Sequence, residues 1–190
     1  MAAETPVTVR HAVARDADAL AAISGRSWRA TYPGIVPDTV LAEWIAEAPE
    51  MWRSDLASRP ADGPWRAWVA EREGVVLGYA TTLPAENKWL PPPDGAGELT
   101  NLYLDPHVIG SGVGRLLYEH AAADLLARGF NPFVVWAFRD NARALRFYER
   151  MGLAIDVPDH TWELAGVPCP IVRFRLDWPA AARGAATETA

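Results

Sequence analysis

Glu98–Leu117 reads ELTNLYLDPHVIGSGVGRLL: a strand, a proline-marked turn, a glycine-rich loop and the opening of a helix. Leu99, Leu102 and Leu104 lie in a β-prone run that stops at Asp105–Pro106. Gly110, Gly112 and Gly114 follow, and a helical run starts near Val113, with Leu116, Leu117 and Ala121 expected on one face. Glycine lets backbone approach a ligand closely, and a helix N-terminus offers unpaired N–H groups and a partial positive charge. Together they can hold a phosphate without a lysine. The same glycines equally serve a tight strand-to-helix turn.

Two phosphate motifs are excluded. No Gly-Lys-Ser/Thr follows the loop, so it is not a nucleotide-triphosphate P-loop. The dinucleotide fingerprint needs an acidic residue at a strand end about 20 residues on. Here Asp124 falls within the helix.

A second segment, FVVWAFRDNARALRFYERMGL from Phe133, completes the pattern. Phe133–Phe138 is an apolar strand. Asp140 or Asn141 can cap a helix running through Met151, and Gly152 stops it. Asn141 and Tyr148 are seven residues apart and share a helix face. Taken singly, Asn141 can be only a cap and Tyr148 only a core aromatic, as Phe147 more plainly is.

The two segments together resemble the Gcn5-related N-acetyltransferase superfamily. Its pattern is a strand, Gln/Arg-x-x-Gly-x-Gly/Ala, a helix, a strand, and then Asn-x-x-Ala-x-x-Phe-Tyr-x-x-x-Gly-Phe. Gly112, Gly114, Asn141, Ala144, Phe147, Tyr148, Gly152 and Leu153 match in register, and the likeness covers roughly residues 7–176. Ile109 stands where the family has Gln or Arg; Arg115 is a candidate replacement charge.

The resemblance implies an α/β (mixed α+β) fold: a mostly antiparallel central sheet, helices on both faces, and a splayed wedge between strands four and five. It implies acetyl-CoA as cosubstrate, with no metal. The pantetheine arm is expected beside Leu102, Leu104 and Asn141. The pyrophosphate is expected on the amides of Ile109, Gly110, Ser111, Gly112, Val113 and Gly114, with Arg115 adjacent. Tyr148 is the candidate general acid. Glu98, opening strand four, is the candidate base; the alternative is a solvated strand-edge carboxylate. His107 and His120 are weaker candidates. Trp28 and Tyr32 are expected to wall the acceptor pocket, with Arg29 added for an acidic acceptor.

Length and composition bound the rest. The 190 residues fit one domain, 1–178, with a disordered Ala-rich tail, 179–190. A net charge of −6 without a basic stripe speaks against nucleic acid and mildly favours a cationic acceptor. No apolar run reaches the ~18 residues of a membrane span. The start, MAAETPVTVR, lacks a signal peptide's apolar stretch. The lone Cys169 excludes an internal disulfide and suits a cytoplasmic protein, and no Cys–His grouping marks a metal site. A homodimer is compatible with this reading. Nine tryptophans are many for this length; Trp28, Trp44, Trp52, Trp65 and Trp89 fall in the first half.

Outside the two decisive segments, Val7–Val13 reads as a first strand. Asp16 or Asp18 can cap a helix with Leu20, Ile23 and Trp28, ending by Tyr32–Pro33–Gly34. A second helix can start at Pro37 and a short third one spans Pro49–Ser58. Ala67–Glu71 and Val75–Leu83 form a hairpin, and 84–97 is a Pro/Gly-rich loop. Leu153–Val157 and Pro170–Leu176 are the closing antiparallel strands. The reaction expected from all this is acetyl transfer to a small-molecule or peptide amine by direct attack. Protein N-terminal acetylation and a non-catalytic acyl-CoA-binding regulatory domain are the alternatives.

Overall fold

A computed structural model describes residues 5–86 and 88–179; the tail from 180 on, expected to be disordered, lies outside them. The elements are β1 (Thr8–His11), α1 (Ala17–Thr31), α2 (Asp38–Ser58), β2 (Arg66–Arg72), β3 (Val75–Pro84), β4 (Gly97–Leu104), α3 (Val113–Ala127), β5 (Phe133–Phe138), α4 (Ala142–Arg150), β6 (Ala154–Leu164) and β7 (Val167–Leu176). Among the described residues seven strands form one sheet, ordered β1-β2-β3-β4-β5-β7-β6. Every neighbouring pair is antiparallel except β4–β5.

Helices cover both faces. α1 and α2 enclose one core with Leu20, Ile23, Trp52 and Tyr79. α3 and α4 enclose the other with Leu117, Leu125, Tyr148 and Phe174. Burial on both sides explains why β5 reads as an unbroken apolar run. Phe133 and Val135 enter the α3/α4 core, while Trp136 and Phe138 meet the α1/α2 core.

Several boundaries differ from the sequence reading. The two helices expected at Pro37 and Pro49–Ser58 are one, with Pro49 inside it. An internal proline forfeits a helical hydrogen bond at a cost of ~3 kcal/mol or more. Ala48 and Trp52 flank it and anchor the chain: both are fully buried, and Trp52 Nε1 donates to Ser24 Oγ at 3.2 Å. Asp16 does not cap α1. Its carboxylate accepts from the Val13 N–H and from Arg10. Leu116 is exposed on α3, whose buried face is Val113, Leu117, Tyr118, Ala121, Ala122 and Leu125.

The closing hairpin is longer than expected on both sides. β6 runs to Leu164 and turns through Ala165–Gly166, both at positive φ, into β7 at Val167. Pro168 and Pro170 are tolerated because β5 ends at the Phe138–Ile171 rung, leaving β7 with a neighbour on one side only. Among the described residues no helix is long and apolar enough to cross a membrane.

The feature that positions the site is a break in the sheet. β4 and β5 share only two rungs, Gly97–Phe133 and Glu98–Val134. Just beyond, the β3–β4 register slips: Thr82 faces Leu99 but Thr81 faces Asn101, so Thr100 is an extra residue. A bulge bends its strand and increases local twist. β4 therefore turns away from β5, and from Leu99 to Leu104 its β5-facing edge has no strand partner among the described residues.

Candidate functional site

A cavity of about 970 Å³ fills the opening between β4 and β5 and runs under α1 and α2. One end is the glycine loop. Gly112 is the N-cap of α3 with φ 90°, and no side chain caps the helix. A Cβ on Gly110 or Gly112 would meet nothing within 4 Å, so the loop's outer side is open. A Cβ on Gly114 would meet Leu104 Cδ1 at 3.2 Å, which draws α3 close to β4. Ile109, Gly110, Gly112, Gly114, Arg115, Leu102 and Leu104 all line the cavity. Ser111 and Val113 do not. The Ser111 hydroxyl donates to the Val108 carbonyl at 2.6 Å, and the Val113 side chain is in the core. Of the two, only the Val113 backbone amide is left to take part, because the Ser111 N–H donates to the Val108 carbonyl at 3.2 Å. The Ile109 N–H is likewise engaged, by the Pro106 carbonyl at 3.4 Å, so the expected amide cradle is narrower than Ile109 to Gly114.

Sequence reasoning missed two cations here. Arg143 and Arg150 of α4 line the cavity with Arg115. Although the chain is acidic overall, three arginines therefore line this cavity, a charge suited to phosphate. Arg115 is ion-paired with Glu119 at 2.6 Å and is exposed. Asn141 Oδ1 accepts from the Ala144 N–H at 3.1 Å, so Asn141 caps α4. Its side-chain NH2 is the group left to reach a ligand in the cavity it lines.

Midway sits Tyr148, buried between Phe147 and Phe174 with ring separations of 5.4 and 5.5 Å. Burial pushes its phenol well above the usual range, with the Tyr103 and Tyr118 neighbours adding to the effect. Glu98 is not a solvated edge carboxylate. It is 3% exposed, at the fork where β4 leaves β5. Burial raises its pKa, although Lys88 pulls the other way with Nζ 3.1 Å from Oε1.

The far end is aromatic. Trp28 of α1 and Tyr32, the residue that ends it, line this end and are also buried in the core. The Tyr32 hydroxyl meets that of Tyr103 at 2.9 Å. Burial raises the pKa of both phenols. Trp44, Trp89, Trp136, Phe138 and Trp162 complete the wall. Arg29 is exposed and outside the lining. His107 is exposed, its N–H on Asp105 Oδ1, and His120 packs on Trp68 at 4.4 Å; neither lines the cavity. Cys169 is buried, and no metal-holding group of His, Cys, Asp and Glu occurs among the described residues.

Lys88 and Trp89 come from the segment between β3 and β4, residues 85–96. Trp89 stands 5.0 Å from Trp136 and 5.2 Å from Trp162. Shortening this segment so as to remove both residues is expected to raise the acceptor KM while sparing acetyl-CoA binding. Unchanged acceptor kinetics in that deletion would make the segment a surface decoration.

Comparison with known proteins agrees with this architecture. The acetyltransferase (GNAT) family pattern matches residues 26–153. The uncharacterized N-acetyltransferase YuaI of Bacillus subtilis is 32% identical over 176 residues, 91% of this chain and 93% of that protein. A mycothiol acetyltransferase of Frankia casuarinae is 31% identical over 148 residues; the match takes in 67% of this chain but 43% of the relative's length. Among solved structures, the PaiA N-acetyltransferase of Thermoplasma acidophilum in complex with coenzyme A shares the fold, with a TM-score of 0.72 at 18% identity over 91% of this chain and 99% of that one.

Proposed function

Because this chain belongs to the acetyltransferase (GNAT) family, we propose that it transfers the acetyl group of acetyl-CoA to the amine of a small molecule or peptide by direct attack. One observation carries the reading. A single cavity joins an uncapped helix N-terminus, an unpaired strand edge and a buried carboxylate. Those are, in order, a phosphate cradle, a partner for amides and a proton acceptor.

Acetyl-CoA, when bound, supplies a thioester whose carbonyl carbon the acceptor nitrogen attacks. The amides of Gly110, Gly112, Val113 and Gly114 hold its pyrophosphate, those of Ile109 and Ser111 being engaged within the loop, and the Leu99–Leu104 edge of β4 orients its amide-bearing arm. Glu98 takes a proton from the acceptor ammonium at a carboxylate oxygen. Its raised pKa brings it nearer the working pH than an ordinary glutamate, the direction a general base needs. A β4 backbone N–H can meet the oxygen on which negative charge develops. The surrounding rings exclude water.

Tyr148 holds its proton at Oη throughout the physiological range, because its pKa is raised. The same shift makes it a weak acid, so its hydrogen bond to the departing sulfur counts for more than complete proton transfer. Tyr148→Phe is therefore expected to lower kcat about tenfold, below the ~10²–10⁴ of a well-matched general acid, with acetyl-CoA KM unchanged. An unchanged kcat, with chemistry rate-limiting, would reduce Tyr148 to packing.

Release of free thiol from acetyl-CoA across a panel of primary amines tests the function directly. Amine-dependent release supports it. CoA binding with no release for any amine would favour a non-catalytic acyl-CoA-binding domain.

A further inference from the structure

We propose that the acceptor is an arylalkylamine, a primary ammonium on a short alkyl arm carrying a flat aromatic body. The inference rests on the acetyl-transfer reading and names its acceptor class.

Four half-buried tryptophans from four separate parts of the chain converge in the cavity: Trp44 of α2, Trp89 of the β3–β4 segment, Trp136 of β5 and Trp162 of β6. Trp162 is their hub. It stacks on Trp44 at 5.6 Å and 25° and on Phe138 at 5.8 Å and 8°. It meets Trp89 at 5.2 Å, and Trp89 stands edge-on to Trp136 at 5.0 Å. All four keep exposed area and line the cavity. Such a wall complements another aromatic ring through stacked and edge contacts, and its ring faces attract a cation.

Charge fixes the other end of the ligand. Glu98 pairs with Val134, and Trp136 lies two residues further along β5 on the same sheet face, about 7 Å from Val134. The Glu98 carboxylate is buried and already holds an alkylammonium, Lys88 Nζ at 3.1 Å, on a residue adjacent to Trp89. Lys88 thus marks where a primary ammonium binds and in which direction its carbon arm runs. With a third of its side chain exposed, Lys88 can withdraw to solvent when the acceptor ammonium takes its place. A carboxylate or phosphonate beside the acceptor amine would instead meet Glu98 with like charge.

Transfer forms the bond between the acceptor nitrogen and the acetyl carbon as the thioester C–S bond breaks. Of the ammonium's protons, one leaves to solvent through Glu98 and one ends on sulfur. The products are an N-acetylarylalkylamine and free thiol.

The test pairs calorimetric binding, with CoA present, and thiol release from acetyl-CoA. The amines are 2-phenylethylamine, tryptamine, spermidine and L-glutamate. The arylalkylamines are expected to bind and to show kcat/KM about tenfold or more above the polar amines, one to two aromatic contacts' worth. Trp162→Ala should lower kcat/KM for tryptamine about three- to tenfold and leave the acetyl-CoA KM as it was. Spermidine or L-glutamate turned over as well as the arylalkylamines would overturn this inference while acetyl transfer stood. No thiol release with any amine would strike at the acetyl-transfer reading. The binding arm, made on the wild-type protein, still decides here: no heat from either arylalkylamine overturns the acceptor class.

Discussion

Gly112→Val is expected to cost about a hundredfold or more in CoA affinity while the fold survives. Gly112 is at φ 90°, ψ −12°, a left-handed conformation at the N-cap of α3, where the first-turn amides have no intrahelical acceptor, and it lines the cavity. A β-branched residue there is strained by about 1–2 kcal/mol, which the protein can relieve only by rotating the backbone away. That rotation removes amide donors from the phosphate. Each hydrogen bond to a charged group contributes ~1.5–3 kcal/mol, and 1.4 kcal/mol is a factor of ten, so one or two lost bonds give the stated scale. Steric exclusion acts in the same direction. The added Cβ has no protein atom within 4 Å, so it occupies the space over the loop where a phosphate would lie. Gly114→Val works differently, through Leu104 Cδ1 at 3.2 Å, and should perturb the α3–β4 contact as well. Calorimetric titration of CoA reads the effect, with circular dichroism to verify folding. Wild-type affinity in Gly112→Val would remove the phosphate from this loop.

What could be read from the chain alone is what local chemistry dictates. The glycine loop at the start of α3, the β5 strand and the Asn141 cap of α4 each depend on a few adjacent residues, and their positions agree with the sequence reading. Features that depend on a distant partner could not be read. The Thr100 bulge is a property of two strands, since only the Thr81–Thr82 register reveals it. Continuity of α2 through Pro49 depends on Trp52 finding Ser24 and Tyr79 across the core. The β6–β7 turn uses Ala165–Gly166 in place of the Asn-Gly or Asp-Gly pair that announces a hairpin. Most consequential for function, Trp44, Trp89, Trp136 and Trp162 are spread over more than a hundred residues and meet only through the tertiary fold. The high tryptophan count was the sole trace of that wall. Glu98 shows the same limit. Its position at the head of β4 was legible, but its burial depends on Val134, Lys88 and the helices above it.

Glu98→Gln is expected to lower kcat/KM by ~10²–10⁴, the usual contribution of a positioned general base, without loss of stability. The substitution keeps size and hydrogen-bonding capacity and removes only the ability to accept a proton. The sign of the stability effect separates this from damage to the fold. Burial raises the Glu98 pKa in the native state, so the native protein binds more protons there than the unfolded chain. That contribution favours folding at low pH and is lost as pH rises through the interval between the ordinary glutamate value and the raised one. At neutral pH the ionised carboxylate is therefore a net cost, which glutamine removes, and Tm at pH 7–8 should match or exceed the wild type. Lys88 loses its partner but has solvent within reach, with 34% of its side chain exposed. The pH profile gives an independent reading. In the wild type, kcat/KM should fall on the acid side at a pH above that of an ordinary glutamate, because the base must be ionised to act. The variant should lose that limb along with most of its rate. A Glu98→Gln protein with wild-type kcat/KM and an unchanged acid limb would show that the acceptor proton leaves by another route, and would leave Glu98 as the buried counter-ion of Lys88.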